Sequence, residues 1–243
     1  MKVSRLADGS PEISHTLQGE GASLGAPAVF LRLSLCNLHC HWCDTPYTWN
    51  WEQTPWKHQD EVKFSKAEAI VELSPAEIAP LILSYNCNRL VLTGGEPLLQ
   101  QDELVALSGL LPEITFIEIE TNGTQLPSDD FVDLPTQFNV SPKLSNSGMA
   151  ENLRLNFKAL DLFASLEKAH FKFVVCNQSD LDEIKALHSK LNLSPDRIHL
   201  MPEGRDAETL QQRSLWLADI CRDQGYHFSP RLHVLLWGNE RAK

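Results

Sequence analysis

Strand-like and helix-like runs alternate along most of the chain, and this alternation restricts its fold more than any other property of the sequence. Runs rich in β-branched, aromatic or aliphatic residues predict strands at residues 28–35, 89–93, 114–121, 137–141, 170–175, 197–201 and 231–237. Runs with helical patterning predict helices at residues 75–85, 100–111, 156–169, 180–191 and 206–224. Because strands joined through helices pair in parallel, we predict an α/β fold with a doubly wound sheet or a partial barrel.

Three local signals mark the ends of these helices. Ser74-Pro75-Ala76-Glu77 has the form of a capping box with proline at the first helical position, which predicts a helix start there. Ser179 is predicted to cap the helix at 180–191. Gly225 is predicted to stop the helix at 206–224.

The size and composition of the chain fit one globular unit. Its 243 residues are 42% apolar and 22% charged, which is ordinary for a chain with a full-sized core. No internal repeat, low-complexity segment or linker interrupts the pattern, so we predict a single domain over residues 1–243. The irregular stretch is an aromatic-rich insert at about residues 46–63, which carries Trp49, Trp51 and Trp56.

The charge of the chain argues against a surface that coats nucleic acid. The formal net charge is −11 and the pI is about 5.2, whereas phosphate backbones are bound by clustered lysine and arginine. Residues 1–14 contain no apolar signal segment, and no run of 18 apolar residues occurs in the chain. We therefore expect a cytoplasmic protein that contacts neither nucleic acid nor membrane directly.

Three of the six cysteines are crowded into one short segment, Cys36-Asn-Leu-His-Cys40-His-Trp-Cys43. Such crowding indicates metal binding rather than a disulfide framework, and the three scattered cysteines are expected in the core. Three thiolates on one loop can hold three irons of a 4Fe–4S cluster and leave the fourth iron open. S-adenosyl-L-methionine (SAM) chelates an open iron, and one electron then cleaves its sulfonium bond to give a 5′-deoxyadenosyl radical.

The same spacing also allows a zinc site. A Cys3His set would take His39 or His41 as its fourth ligand. The spacing favours iron, because zinc modules usually bring a second ligand pair and none follows this loop. The spacing alone leaves both metals open.

The strand before the cysteine loop has two different faces. With a period of two residues, the apolar side chains share one face: Val29, Leu31, Leu33 and Leu35. Arg32 lies on the other face, which the same period assigns to Cys36. A buried guanidinium needs a partner, which would be a substrate carboxylate or an internal ion pair with Glu118 or Glu120. The residues leave both interpretations open.

Polar residues recur at the ends of successive predicted strands. Each group alone is a weak signal, but together they would line one mouth of a parallel sheet. The groups are Thr93-Gly94-Gly95-Glu96-Pro97, the same-face set Glu118, Glu120 and Asn122, Ser141-Pro142-Lys143, and the pair His170 and Lys172.

With these residues identified, the chain resembles the radical SAM superfamily and, within it, the 7-carboxy-7-deazaguanine synthases. The superfamily resemblance lies in the three spaced cysteines and Gly94-Gly95-Glu96-Pro97. The narrower resemblance lies in short motifs spread along the chain: Thr16-Leu17-Gln18-Gly19-Glu20-Gly21, Cys43-Asp44-Thr45, Glu120-Thr121-Asn122-Gly123-Thr124, Ser141-Pro142-Lys143, Met201-Pro202-Glu203-Gly204 and Ser229-Pro230-Arg231-Leu232-His233.

This resemblance implies a fold, a reaction and partners. The fold is a shortened, partial (β/α)6 barrel that usually forms a homodimer. The reaction is the ring contraction of 6-carboxy-5,6,7,8-tetrahydropterin to 7-carboxy-7-deazaguanine with loss of ammonia, which feeds 7-deazapurine pathways such as that of queuosine. It uses a 4Fe–4S cluster, SAM and Mg²⁺, and a flavodoxin or ferredoxin as the usual reductant.

The resemblance also implies roles for particular residues. Substrate would be bound by Leu17, Gln18, Gly19, Arg32 and Thr93. SAM would be bound by Gly95, Ser141, Pro142 and Lys143. The cluster would be held by Cys36, Cys40 and Cys43, and Mg²⁺ by the hydroxyl of Thr45.

Two parts of the chain depart from the pattern of the resemblance. The insert at 46–63 has no derivable role, and we expect it to cover the cluster or a dimer surface. In some relatives the chain terminus reaches the substrate, and the ending Glu240-Arg241-Ala242-Lys243 puts that contact in doubt. The alternative functions are an activating enzyme that makes a glycyl radical on a protein partner and a zinc-stabilised binding module.

Overall fold

The computed structural model describes residues 1–243 and is built on one mixed sheet. The strands are β1 (Lys2–Ser4), β2 (Ile13–Leu17), β3 (Pro27–Leu33), β4 (Ile70–Glu72), β5 (Arg89–Gly94), β6 (Phe116–Thr121), β7 (Gln137–Val140), β8 (Ala169–Val175), β9 (Ile198–Pro202) and β10 (His227–Phe228). The α-helices are α1 (Lys66–Ala69), α2 (Pro75–Leu83), α3 (Gln101–Ser108), α4 (Asp129–Asp133), α5 (Glu151–Arg154), α6 (Phe157–Ser165), α7 (Asp180–Lys190), α8 (Ala207–Gln224) and α9 (Leu232–Trp237).

The order of the parallel strands decides between the two predicted architectures. Strands β3, β5, β6, β7, β8, β9 and β10 are neighbours in chain order, and each pair is parallel. A doubly wound sheet reverses its direction at a switch point, and this order never reverses. Because crossovers are right-handed, winding in a single direction places the connecting helices on one face. The arrangement is that of a partial barrel.

Short antiparallel strands extend the sheet beyond β3. Strand β2 pairs with the first part of β3, and β1 pairs with β3 at Val3 and Leu33 and then with β4. These three strands were not predicted, because runs of three to five residues show too few alternations to be recognised. They bring Glu12 beside the carboxyl end of β3, where its carbonyl accepts from the amide of Arg32 at 3.1 Å, and they bring the segment after Leu17 beside the amino end of β3.

The predicted strand at 231–237 is wrong, because this run forms α9 and β10 is the two-residue strand before it. A short apolar run cannot be assigned to strand or helix by periodicity alone. In the helix Val234 is buried whereas Leu235 and Leu236 are exposed, so the run has one buried side. The other predicted strands and helices are present, with ends that shift by a few residues.

Two of the three predicted helix-end signals are confirmed. Ser74 Oγ accepts from the amide of Glu77, and the Glu77 carboxylate accepts from the amide of Ser74 at 2.8 Å, which completes the capping box. Gly225 ends α8 with φ +72°. Ser179 makes no capping bond, because its hydroxyl and amide donate to Asn177 Oδ1 instead.

The parallel strands divide an apolar face from a polar one. Val29, Leu31 and Leu33 are fully buried in the hydrophobic core, as their period predicts. The opposite face carries Arg32 and the polar residues of the neighbouring strands. Leu35 has φ +76°, so the strand period ends before Cys36 and does not set its direction. No helix of the chain has the length and apolar character needed to cross a bilayer.

Candidate active site

One cavity of about 260 Å³ opens at the carboxyl ends of the parallel strands. It brings together residues far apart in sequence: Leu17, Gln18, Gly19, Arg32, Cys36, Cys40, Cys43, Thr45, Thr93, Gly95, Ser141 and Lys143. Of the predicted site residues, Pro142 alone does not line it. His170 also lies elsewhere, near the amino end of β8, where its Nδ1 is 3.3 Å from His199 Nε2. The prediction that both His170 and Lys172 line the mouth of the sheet is therefore wrong for His170. It is confirmed for Lys172, which lines the cavity.

The three clustered cysteines lie on the loop after β3, where Cys40 is buried and Cys36 and Cys43 are half-buried. Burial raises the pKa of Cys36, and Glu96, Cys40 and Cys43 raise it further because their negative charges oppose a thiolate there. Burial likewise raises the pKa of Cys40 to about 12. Neighbouring buried thiolates need compensating positive charge, which a bound metal cluster provides. The donor set therefore fits a thiolate-ligated cluster.

The cysteines do not form the compact group that a single zinc ion requires. A tetrahedral zinc with Zn–S near 2.3 Å needs its sulfur ligands roughly 3.8 Å apart. Glu20, Asp44 and His233 form a group of three ligand atoms that all lie within 4.8 Å of one another, and the cysteines form no such group. The wider placement of the thiols is compatible with ligation of different irons of a cluster.

The two glycines after β5 allow two backbones to touch beside this loop. A Cβ on Gly94 would lie 2.1 Å from the carbonyl oxygen of Leu33, and a Cβ on Gly95 would lie 1.9 Å from that of Leu35. Gly94 also has φ +114°, which disfavours other residues. The amide of Gly95 donates to the Leu33 carbonyl at 3.0 Å. The cysteine loop is thus anchored to the end of β5.

Glu96 ties this anchor to the next strand. Its carboxylate is fully buried and accepts from Thr121 Oγ1 at 2.8 Å and from the amide of Asn122 at 2.7 Å. Its own amide donates to the Leu35 carbonyl at 2.8 Å. Burial raises the pKa of Glu96, and the hydrogen bonds act in the opposite direction. Glu96 therefore holds the ends of three strands together and does not line the cavity.

The partner of Arg32 is Glu12, which the sequence analysis did not identify. Arg32 Nε donates to Glu12 Oε1 at 2.9 Å, so the predicted pairing with Glu118 or Glu120 is wrong. Arg241 also donates to Glu12, and its guanidinium lies 3.7 Å above the ring of Tyr47. One carboxylate between two guanidiniums leaves local positive charge beside Glu12, which favours an anionic ligand at this part of the cavity. Residues 238–243 line the same cavity.

The two glutamates of β6 occupy different environments. Glu118 is fully buried and accepts from Gln18 Nε2 and Asn139 Nδ2, both at 2.5 Å. Burial and the nearby Glu120 raise the pKa of Glu118 to about 7. Glu120 lines the cavity, accepts from Thr93 Oγ1 at 2.8 Å and lies 3.7 Å from Lys172. Both carboxylates hold Gln18 in position.

A second cluster of charged side chains lines the cavity, and the sequence alone predicted no role for it. Arg231 donates to Glu20 and to Asp44, and Lys172 donates to Glu20 as well. Despite burial, these cations hold the pKa of Glu20 well below its usual range. Three of these residues are Glu20, Asp44 and Arg231, and each belongs to a motif shared with the relatives. The motifs were the only sign of them in the sequence, and their proximity is visible only in the fold.

Comparisons with known proteins agree with this geometry. The model of the Radical SAM superfamily matches residues 32–143. The 7-carboxy-7-deazaguanine synthase of Pyrobaculum aerophilum is 35% identical over 96% of this chain and 96% of its own length. That of Halobacterium salinarum is 34% identical over 94% of this chain and 90% of its own length.

Solved structures show the same fold. The crystal structure of QueE from Escherichia coli has a TM-score of 0.66 and 26% identity, and covers 96% of this chain and 95% of that one. Streptococcus suis SuiB has a TM-score of 0.53 and 15% identity, and covers 81% of this chain and 47% of that one, which is a likeness of fold only.

A three-cysteine loop beside a glycine-rich strand end, at the mouth of a partial barrel, defines a radical SAM enzyme with a 4Fe–4S cluster and SAM as cofactors. Within that class, the chain belongs to the 7-carboxy-7-deazaguanine synthase family.

Proposed function

We propose that the chain converts 6-carboxy-5,6,7,8-tetrahydropterin to 7-carboxy-7-deazaguanine with loss of ammonia, in 7-deazapurine biosynthesis of the queuosine type. One observation carries this assignment beyond the family: the three-cysteine loop and the pair of guanidiniums on Glu12 share one cavity. A carboxylated substrate fits the local positive charge of this group.

The cofactors supply the radical, and the chain supplies their ligands. Bound together, the cluster and SAM would supply the hydrogen-abstracting radical chemistry that the ring contraction requires. Cys36, Cys40 and Cys43 hold the cluster. SAM is bound by Gly95 and by residues 141–143, where Lys143 Nζ donates to Ser141 Oγ at 2.9 Å.

The pterin is held by the side chains at the opposite wall of the cavity. Arg32 binds the substrate carboxylate while Arg241 shares Glu12 with it. Leu17, Gln18, Gly19 and Thr93 contact the ring system. Gln18 and Thr93 are already oriented by Glu120, which accepts from both, at 3.2 and 2.8 Å.

The hydroxyl of Thr45 would hold Mg²⁺, which would supply positive charge near a carboxylated substrate. This hydroxyl lies 3.6 Å from Cys43 Sγ, and it lines the cavity beside Asp44. A hard cation that keeps most of its waters suits a site with few protein oxygens.

The remaining assignments concern the state of the whole protein. The enzyme works as one domain and as a homodimer, receives its electron from flavodoxin or ferredoxin, and acts in the cytoplasm. A single sheet carries residues of the cavity from β2 to β9, which supports the one-domain assignment.

The test is an anaerobic assay with reductant, SAM and the carboxypterin, read by the mass of the product. Cys40→Ala is expected to abolish iron binding and turnover, because the buried thiol at this position has no substitute. Cys221→Ala is the matched control, since Cys221 is also buried but lies on α8. Zinc in place of iron, or a loaded protein that leaves the pterin unchanged, would contradict the proposal.

A further inference from the structure

The insert at 46–63 folds back over the cysteine loop. The backbone amide of Gln59, in the insert, donates to the carbonyl of His41 at 3.0 Å. The Trp56 ring stacks on His39, with ring centroids 3.8 Å apart. His58 Nε2 lies 2.7 Å from the carbonyl oxygen of Cys43. The insert therefore contacts the loop at three residues. His39 and His41 flank Cys40, and Cys43 is itself one of the three clustered cysteines.

His58 is the most buried of these contacts, and both of its ring nitrogens have polar neighbours. Its side chain is 0% exposed. The amide of Asp60 donates to Nδ1 at 3.2 Å, and the Asp60 carboxylate lies 3.7 Å from the same nitrogen. A carbonyl oxygen can only accept, so Nε2 is the donor in the hydrogen bond to Cys43. The ring joins the insert to the third cysteine of the loop through a specific donor.

The insert is also held in its own shape. Lys63 Nζ donates to the carbonyls of Trp56 and Thr54 at 2.6 and 3.0 Å, and to Asn50 Oδ1 at 2.8 Å. Asn50 Nδ2 in turn donates to the carbonyl of Val62 at 2.7 Å. These bonds close the insert on itself, so His58 is presented by a fixed backbone and not by a free loop.

We infer that the insert positions the cysteine loop for the cluster, with His58 as the positioning residue. A hydrogen bond to the Cys43 carbonyl fixes the peptide that joins Cys43 to Asp44. It thereby fixes the direction of the Cys43 thiol and of the carboxylate that Arg231 holds. The other two contacts hold the loop on either side of Cys40. This inference rests on the loop's binding a 4Fe–4S cluster and does not depend on the pterin reaction.

Three substitutions separate the hydrogen bond from the volume of the ring. The amide nitrogen of His58→Gln reaches the place of Nε2 and can still donate to Cys43. The amide of His58→Asn reaches only the place of Nδ1, where it can accept from Asp60 but cannot reach Cys43. His58→Ala removes both bonds. His188→Gln is the control, since His188 lies on α7 and bonds the hydroxyl of Tyr226 instead of the cysteine loop.

The measurements are made on anaerobically reconstituted full-length protein. They are iron per chain, the rate at which the cluster absorbance is lost in air, and the electron paramagnetic resonance spectrum of the reduced cluster with and without SAM. His58→Ala and His58→Asn are expected to lose the cluster about 2- to 10-fold faster than the parent, the effect of one hydrogen bond, and to show an altered spectrum. His58→Gln and His188→Gln are expected to match the parent.

Each other outcome contradicts the inference in a different way. If His58→Asn matches the parent in iron, rate and spectrum, the bond to Cys43 is not what positions the loop. If His58→Gln behaves as His58→Asn does, packing of the ring and not its donor is responsible. If the parent itself binds no cluster, the inference and the cofactor assignment fail together. A stable cluster without pterin turnover would contradict the proposed substrate alone.

Discussion

At the scale of single residues, Glu12 sets the chemistry of the cavity. It is almost completely buried, yet it faces Arg32, Arg241 and the hydroxyl of Tyr47, whose oxygen lies 3.4 Å away. Burial raises the pKa of Tyr47, so this phenol adds no negative charge. The two guanidiniums therefore leave local positive charge beside Glu12.

Arg32→Ala is expected to weaken carboxypterin binding by about 10- to 100-fold and to leave cluster content and SAM affinity unchanged. The loss corresponds to one charge-assisted contact, and Arg241 remains to pair with Glu12, so that no buried charge is orphaned. The measurement is the dissociation constant of the substrate on loaded protein. Arg222→Ala, at an exposed ion pair on α8, is the control. Loss of the cluster with unchanged substrate affinity would show that this role is wrong.

At the scale of elements, the carboxyl end of β5 is the most constrained part of the site. Gly94 and Gly95 let it touch the backbone that leads into the cysteine loop, and Glu96 carries the restraint on to β6. Side chains at the mouth are therefore placed by backbone contacts between strands. The insert adds the remaining restraint from the opposite side of the loop.

Gly95→Ala is expected to destabilise the protein by about 1–3 kcal/mol and to lower its cluster content, because the new Cβ meets the Leu35 carbonyl at 1.9 Å. Gly109→Ala is the matched control. That glycine has φ −64°, and a Cβ there would lie 3.6 Å from its nearest neighbour. The measurements are denaturant unfolding and iron per chain. Equal effects of the two substitutions would contradict the proposed role of Gly95.

At the scale of the whole molecule, the sheet places polar groups inside its concave side and apolar groups under the helices. Glu118 is the extreme case, because one of its oxygens, Oε2, is buried without a hydrogen-bond partner. Its raised pKa, near 7, means that the folded protein holds a proton that the unfolded chain has lost at the same pH.

The stabilising contribution of protonated Glu118 is complete below its ordinary pKa, falls as the pH rises and is lost above about 7. Glu118→Gln, which cannot ionise, is expected to raise the Tm of the cluster-free protein at pH 8 by about 2–4 °C, the effect of roughly 1 kcal/mol, with less change at pH 5. Glu113→Gln, at an exposed position, is the control. The prediction fails if the two variants show the same dependence of Tm on pH.

Much of the fold class and of the candidate site could be predicted from local patterns in the sequence. The spacing of the cysteines, the capping box at Ser74 and the apolar period of β3 each depend on residues a few positions apart, so their physics is visible in the sequence. The α/β class followed from the alternation of such segments. Nearly all of the site residues that the resemblance implies line the cavity, but many residues that line it, such as Glu12, Lys172 and Arg241, lie outside the shared motifs.

Long-range pairing could not be predicted in this way. Arg32 meets Glu12 because a short edge strand folds back on β3, and Arg241 joins them from the other end of the chain. The run at 231–237 became a helix because packing, and not its pattern, distinguishes the two states. Charges and short apolar runs take their partners from whichever elements the sheet brings near. For this reason the local spacing of residues in the sequence was enough to predict the cysteine loop. Which charges meet at the cavity was decided by the folded sheet.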